Sequence, residues 1–189
     1  AASPGDTLEL CASVYDGAIV DKALTIRGTD GTVVTEGSSG FTVTADNVVI
    51  EDMRIDGDPS GTTPSSFPGV LVQDGADNLI LRNTEITDWA DGVEVQGAHE
   101  SFKMVENWIH TNDDAGLQID SGVTFGGIVT VEGNLFKNNG GNGVQNDSGM
   151  SFDATYNSWG DLDGPSIGAG DCFSADVFYT PWTFAEFYM

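Results

Sequence analysis

Basic residues are scarce in this chain. Lys and Arg number 6 against 30 Asp and Glu in 189 residues, a formal net charge of −24. Such a surface repels phosphate backbones and anionic lipid, which argues against nucleic acid as a partner. It suits a salt-rich setting, or Ca²⁺ held by carboxylates. Added NaCl or CaCl₂ should then raise the melting temperature by relieving self-repulsion. Cysteine is rare as well: two residues, Cys11 and Cys172, are too few for a disulfide scaffold. No apolar run reaches the ~18 residues of a membrane span, so no membrane insertion is expected. The chain opens at Ala1 with no secretory-leader pattern and reads as a mature or trimmed product. Helical periodicity is missing over any useful window. What remains is 39% hydrophobic residues and 25 glycines, enough for one folded domain with a real core.

A repeat fills that space. The pattern apolar-x-apolar-x-x-small/Asn-x-apolar fits Val48/Ile50/Met53/Ile55, Leu79/Leu81/Thr84/Ile86, Phe102/Met104/Asn107/Ile109, Val129/Val131/Asn134/Phe136 and Phe152/Ala154/Asn157/Trp159. The later copies recur at roughly 23-residue steps, the range of solenoid repeats. A second short strand precedes each copy, at Phe41/Val43, Val70/Val72, Val93/Val95, Leu117/Ile119 and Val144/Asn146. It usually follows a glycine: Gly40, Gly69, Gly92, Gly116 or Gly143. Alternation within each run turns one face inward and one outward.

Strands this short cannot each bury a face alone, but stacked turns can. The expectation is an all-β fold: a single-stranded right-handed parallel β-helix, or β-solenoid, of about seven coils. It spans 1–189 as one domain, with a loop insertion at 56–68 and an aromatic cap or tail at 173–189. A propeller needs longer blades with antiparallel hairpins, and a leucine-rich repeat needs a leucine ladder that is absent. Asn107, Asn134 and Asn157 fall in register and read as a structural stack at a tight inward turn.

These residues resemble the pectate-lyase-like right-handed parallel β-helix superfamily. Ala1 to Leu8, Val14-Tyr15 and Lys22 to Gly28 resemble the first coils of its secreted members. Tyr156 to Asp161, Gly164-Pro165-Ser166 and Tyr179 to Trp182 resemble their last coil and closure. The resemblance implies secretion or a cell-surface location. It also implies a short capping helix ahead of the Ala-Ser-Pro-Gly-Asp-Thr segment; as this chain begins at Ala1, an uncapped first coil is expected. Function is not implied, because the superfamily holds lyases, hydrolases and non-catalytic surface proteins.

Several candidate sites follow. Neighbouring turns carry Asp88 and Asp91, then His110, Asp113 and Asp114, then Lys137; paired acids with a histidine could act as general acid and base. An outward column of Glu94, Gln118 and Gln145, with Trp89 nearby, offers a polar strip to sugar hydroxyls. Asp161, Asp163 and Asp171 lie in a Gly-rich loop with acidic spacing suited to Ca²⁺, without the full EF-hand pattern. Cys11 and Cys172 lie at opposite ends of the expected stack, too far apart to bridge within one chain. Buried free thiols are the simpler reading, and a bridge between stacked molecules the other. The 56–68 loop reads as a cover over outward-pointing Val49 and Ile80, or as a ligand loop. Asn146-Asp147-Ser148 is an N-glycosylation sequon that reads as a chance match.

Two functions stay open. The preferred one is a non-catalytic extracellular or cell-surface structural β-helix that self-associates head-to-tail through open ends or binds carbohydrate. The other is a polysaccharide lyase or glycoside hydrolase using the Asp88/Asp91/His110/Asp113/Asp114 turns. Polysaccharide and further copies of the chain are the expected partners.

Overall fold

The computed structural model describes residues 1–35, 39–58, 60–61, 65–161, 164–165 and 171–183. These residues form short β-strands and no helix; none of their segments is a helix long and apolar enough to cross a membrane. Most strands stack into three long parallel sheets, one strand per sheet per coil, and two further two-stranded parallel sheets pair Ala98–His99 with Thr124–Phe125 and Phe152–Asp153 with Val177–Phe178. Thr7–Leu10, Thr25–Gly28, Val49–Glu51, Leu79–Arg82, Phe102–Val105 and Val129–Glu132 form the first sheet. The second runs Val14–Asp16, Val33–Thr35, Arg54–Asp56, Glu85–Thr87, Trp108–His110 and Leu135–Lys137. The third runs Ala18–Val20, Phe41–Val43, Val70–Val72, Val93–Val95, Leu117–Ile119, Asn142–Asn146 and Cys172–Phe173.

Register makes the core. Leu8, Ile26, Ile50, Leu81, Met104 and Val131 pair in one inward file of the first sheet. Tyr15, Val34, Ile55, Ile86, Ile109 and Phe136 form the file of the second. Because a strand's side chains alternate with period two, a one-residue slip would turn a whole file to water.

Two corners show why the sequence bends where it does. Between first and second sheets, Asp52, Asn83, Glu106, Gly133 and Tyr156 all have positive φ, from 49 to 68°. Each is followed by an inward residue, and in the last three coils that residue is asparagine. Asn107 Nδ2 donates to Asn134 Oδ1 at 2.9 Å, and Asn134 Nδ2 to Asn157 Oδ1 at 3.0 Å; all three are fully buried. The expected stack is present. Before the third sheet, a Cβ on Gly69, Gly92 or Gly116 would sit 2.6–2.8 Å from the carbonyl oxygen of the next coil's glycine. Only glycine lets the coils close there.

A second ladder runs along the exit of the second sheet. Asn112 Nδ2 donates to Asn139 Oδ1 at 2.8 Å, and Asn139 Nδ2 to Asp171 Oδ2 at 2.5 Å. Asp171 is 5% exposed. Burial pushes its carboxyl up to about 6, although hydrogen bonds from Asn139 and Asn138 oppose the shift.

On the outward face of the first sheet, Arg27, Glu51 and Arg82 pair in register. Glu51, 1% exposed, takes Arg27 Nε and Arg82 Nε at 2.6 Å, one on each carboxylate oxygen, and Nη2 of each arginine at 2.5 Å. Burial raises its pKa, but the hydrogen bonds and charges of Arg82 and Arg27 outweigh it and hold the group below the usual glutamate range. Its stabilisation is therefore present above the unfolded-state value of about 4.3 and is lost on acidification. Glu51→Ala is expected to cost about 2 kcal/mol in urea unfolding at neutral pH. That falls short of a fully buried pair because the stranded guanidiniums are half-exposed.

The ends differ. Leu8 occupies a core file yet is 36% exposed; among the described residues Thr7–Leu10 is the edge strand of the first sheet. Val14 and Ile19, on the same coil, are 63% and 70% exposed. At the other end Val177–Phe178 pairs with Phe152–Asp153, and Phe173 stacks on Tyr179 at 4.3 Å. The described part of the aromatic tail packs on the last coil; Phe184, Phe187 and Tyr188 lie outside the described residues.

Two expectations are corrected, and the sequon fits its reading as a chance match. Cys11 and Cys172 are free but exposed rather than buried: Cys11 follows the first-sheet strand of the end coil, and Cys172 begins the outermost strand of the third sheet. The described part of the 56–68 loop lies at the corner of the second and third sheets, where Ser65 N bonds Asp88 O and Ala90 N bonds Phe67 O. Val49 and Ile80 belong to the first sheet, so that loop does not cover them there. Asn146 of the sequon is 7% exposed and donates to Met150 O at 2.6 Å, out of reach of a glycosylating enzyme on the folded chain.

Candidate functional site

Among the described residues, a network of titratable side chains lies on the outward face of the second sheet. Three successive rungs present Arg54 and Asp56, Glu85 and Thr87, then Trp108 and His110. Arg54 Nη2 lies 3.0 Å from Asp56 Oδ2, and Arg54 Nε 3.7 Å from Glu85 Oε2. His110 Nε2 lies 3.0 Å from Glu85 Oε1, and its Nδ1 lies 2.9 Å from Thr111 Oγ1. Trp108 stacks on the imidazole with centroids 4.0 Å apart.

The two carboxyls diverge. Burial pushes Asp56 up, aided by the charges of Asp88 and Glu85, against the Asp58 amide and Arg54. Burial acts the same way on Glu85, yet the His110 hydrogen bond and the charges of Arg54 and His110 bring it below its ordinary value. One acid retains its proton more readily while its neighbour gives it up, a division of roles that acid–base chemistry uses.

The five expected catalytic residues do not converge. Asp88 adjoins this network: it has φ 63° and accepts from Thr87 Oγ1 at 2.7 Å. His110 is inside it. Asp91 has already turned toward the third sheet, where its Oδ1 accepts from Ala115 N at 2.9 Å. Burial, with the charges of Asp114 and Asp120, raises the Asp91 pKa. Asp113 and Asp114 are exposed, with backbone amides bonded to Trp89 O and Ala90 O. Lys137 pairs in register with His110 on the next rung.

Glu94, Gln118 and Gln145 do form the expected outward column. Gln118 Nε2 reaches Asp147 Oδ2 at 3.1 Å and Gln145 Nε2 reaches Asp147 Oδ1 at 2.6 Å, while Gln96 donates to Glu94 at 2.5 Å. Burial and the nearby charges of Asp120 and Asp91 raise the Glu94 pKa, against that bond from Gln96. Trp89 is the correction here. It is fully buried, its ring against Gly40, Gly57 and Gly69, and its Nε1 donates to Ile55 O at 3.2 Å. A wide ring at the corner fills space that three glycines leave, so no sugar meets it.

Asp171 faces the Asn139 ladder rather than a loop, and Asp163 lies outside the described residues. Among the described residues no group of three or more His, Cys, Asp or Glu side chains is placed to hold a metal ion. A shallow groove of about 210 Å³ lies one sheet away, over Ile80, Lys103, Ile128 and Thr130.

Sequence reasoning missed Arg54, Asp56, Glu85 and Asp120 as site residues. The signal was available for the first three: they share outward parity on consecutive rungs with His110. It becomes readable only when the 31-residue step around the inserted loop is counted as one coil.

Stacked parallel sheets with inward asparagines and glycine corners define a solenoid class. The chain matches the family model for the right handed beta helix region over residues 11–158, and it belongs to that family. No curated protein matches it significantly, and no solved structure does.

Proposed function

We propose that this chain is a non-catalytic structural β-helix of the cell exterior that associates head-to-tail with further copies of itself. The observation that carries this reading is the distribution of exposed apolar side chains. Of the large apolar side chains exposed among the described residues, Leu8, Val14 and Ile19 lie on the first coil and Tyr156 and Phe178 at the last, while Phe67, Ile128 and Met150 lie between; of these, Leu8 belongs to a core file. An open parallel edge with a bare core residue is completed by another coil of the same geometry, a heterologous contact that repeats along an axis. The net charge of −24 opposes approach at low ionic strength. Sedimentation velocity in high salt is expected to show concentration-dependent species longer than the monomer. The Leu8→Lys/Ile19→Asp protein should stay monomeric. A wild-type chain that remains monomeric at high concentration and high salt would sink this reading.

The enzyme reading keeps one specific support, the opposed shifts of Asp56 and Glu85 on neighbouring rungs. If the chain cleaves a polysaccharide, Glu85→Gln should reduce product release by roughly 100-fold or more while the melting temperature moves little. Release of no reducing ends or unsaturated products across a broad glycan panel, by folded protein, removes it.

A further inference from the structure

The outward face of the first sheet carries a pattern that fits a second copy of the chain. Along one outward file, Ile80, Lys103 and Thr130 pair in register. Lys103 and Thr130 each stand four residues before a ladder asparagine, and Asp153 stands four before the next, Asn157. Gly133 N bonds Tyr156 O at 2.9 Å across the same two coils. Asp153 pairs in turn with Phe178. The file therefore reads Ile80, Lys103, Thr130, Asp153, Phe178 over five successive rungs.

Two of these side chains are charged, exposed and in no ion pair among the described residues: Lys103 and Asp153. Arg27 and Arg82, on the same face, are already held by Glu51. Asp153 Oδ1 accepts from Thr155 N at 2.9 Å, which fixes the carboxylate at the surface. Phe178 is 59% exposed, and Ile128, two residues before Thr130, is 77% exposed.

Reversed, the file complements itself. A two-fold axis along the strands, centred on Thr130, sets Lys103 against the second copy's Asp153 and Ile80 against its Phe178. Ile128 then meets its own counterpart, and the symmetry makes each of the other contacts twice. We propose that two copies of this chain pair side by side and antiparallel through the outward face of the first sheet, with Ile128 at the two-fold axis. The shallow groove over Ile80, Lys103, Ile128 and Thr130 receives the Phe178 ring. Glu132, one file over on the Thr130 strand, faces its own copy, so added salt strengthens the contact. Five rungs at about 4.8 Å and two outward files cover well under the ~1,000 Å² of a stable interface. A single pair is therefore short-lived, and cross-linking catches it where sedimentation does not. In rods stacked as proposed above the patch recurs once per molecule and pairs the rods along their length; the contact itself does not rest on that stacking.

Cysteine trapping tests it. The Ile128→Cys protein, with Cys11→Ser and Cys172→Ser to silence the exposed thiols, is oxidised in about 0.3 M salt. It should form a disulfide dimer roughly tenfold faster than Val14→Cys in the same background, because only position 128 meets itself. Lys103→Asp or Asp153→Lys, added to Ile128→Cys, sets like charges together twice and should slow the reaction roughly tenfold. Mixing those two proteins opposes Asp to Lys at both points and should recover the rate. The Ile128→Cys rate should persist in the Leu8→Lys/Ile19→Asp background, which separates this contact from end-to-end stacking. The proposal fails if Ile128→Cys cross-links no faster than Val14→Cys, if the mixture reacts no faster than its components, or if blocking the ends abolishes the reaction.

Discussion

At about pH 7.5 the Asp171→Asn protein is expected to melt roughly 5–10 °C above its parent. The folded chain holds this carboxyl at about 6, against 3.8 for an unperturbed aspartate. At ~1.4 kcal/mol per pH unit, that gap amounts to about 3 kcal/mol. The sign follows from proton uptake. A raised acid binds its proton better when folded, so the full contribution is present below about pH 4, falls as pH rises through about 6, and stays lost above. An amide never ionises and escapes the loss. It also keeps the geometry, since Asn139 N and Nδ2 need only an acceptor at this rung. Asn112 and Asn139 each donate to a second-sheet carbonyl, Ile86 O and Ile109 O; in register, Phe136 O is the acceptor for the N–H that the substituted amide brings. Thermal melts from about pH 4 to 8 should show two curves that meet near pH 4, separate between about pH 4 and 6, and stay apart above. Parallel curves, or a variant less stable at about pH 7.5, would mean that the charge is better solvated than its burial indicates.

Asn134→Ala is expected to remove about 4 kcal/mol, near the extreme for one substitution. Asn134 Oδ1 takes Asn107 N at 3.0 Å and Asn107 Nδ2 at 2.9 Å. Its Nδ2 reaches Met104 O at 2.9 Å and Asn157 Oδ1 at 3.0 Å. Truncation strands polar atoms from rungs on both sides where water does not enter, and each stranded atom costs ~1–3 kcal/mol. Asn134→Asp should be no rescue: it keeps the acceptor, loses the donor and adds a buried charge. Urea titration is the check, with a lower midpoint at unchanged slope. A loss under about 1 kcal/mol would show that the coils settle around the gap and that the ladder decorates the bend rather than holding it.

Much of the fold was legible because a solenoid repeats its constraints. Gly40, Gly69, Gly92 and Gly116 before third-sheet strands are demanded by the carbonyl of the next coil, and the inward asparagines of the last three coils bond one another, so both recur in sequence. The second ladder was half legible. Asn112 and Asn139 stand five residues after Asn107 and Asn134, but the last member is Asp171, across an irregular loop and of another residue type. The candidate site was less legible because sequence tells which coil a residue belongs to, not which way it faces at a bend. Asp88 and Asp91 are three residues apart and serve different sheets, and Trp89 between them points inward.

The two amide ladders are vectorial. In each, the donor hydrogen points from an earlier rung to the oxygen of a later one, so every interior member must both give and receive, which an ionised carboxylate cannot do. Among the described residues the second ladder's last member has no later side chain to serve, and there an aspartate is admissible. Gene duplication could therefore lengthen this rod by inserting asparagine-bearing coils anywhere upstream of Asp171. A coil added beyond it would find a ladder with no hydrogen left to hand on. The ladders thus have a polarity that the sheets do not, since the coils with Met53 and Thr84 at the same corner stack without one.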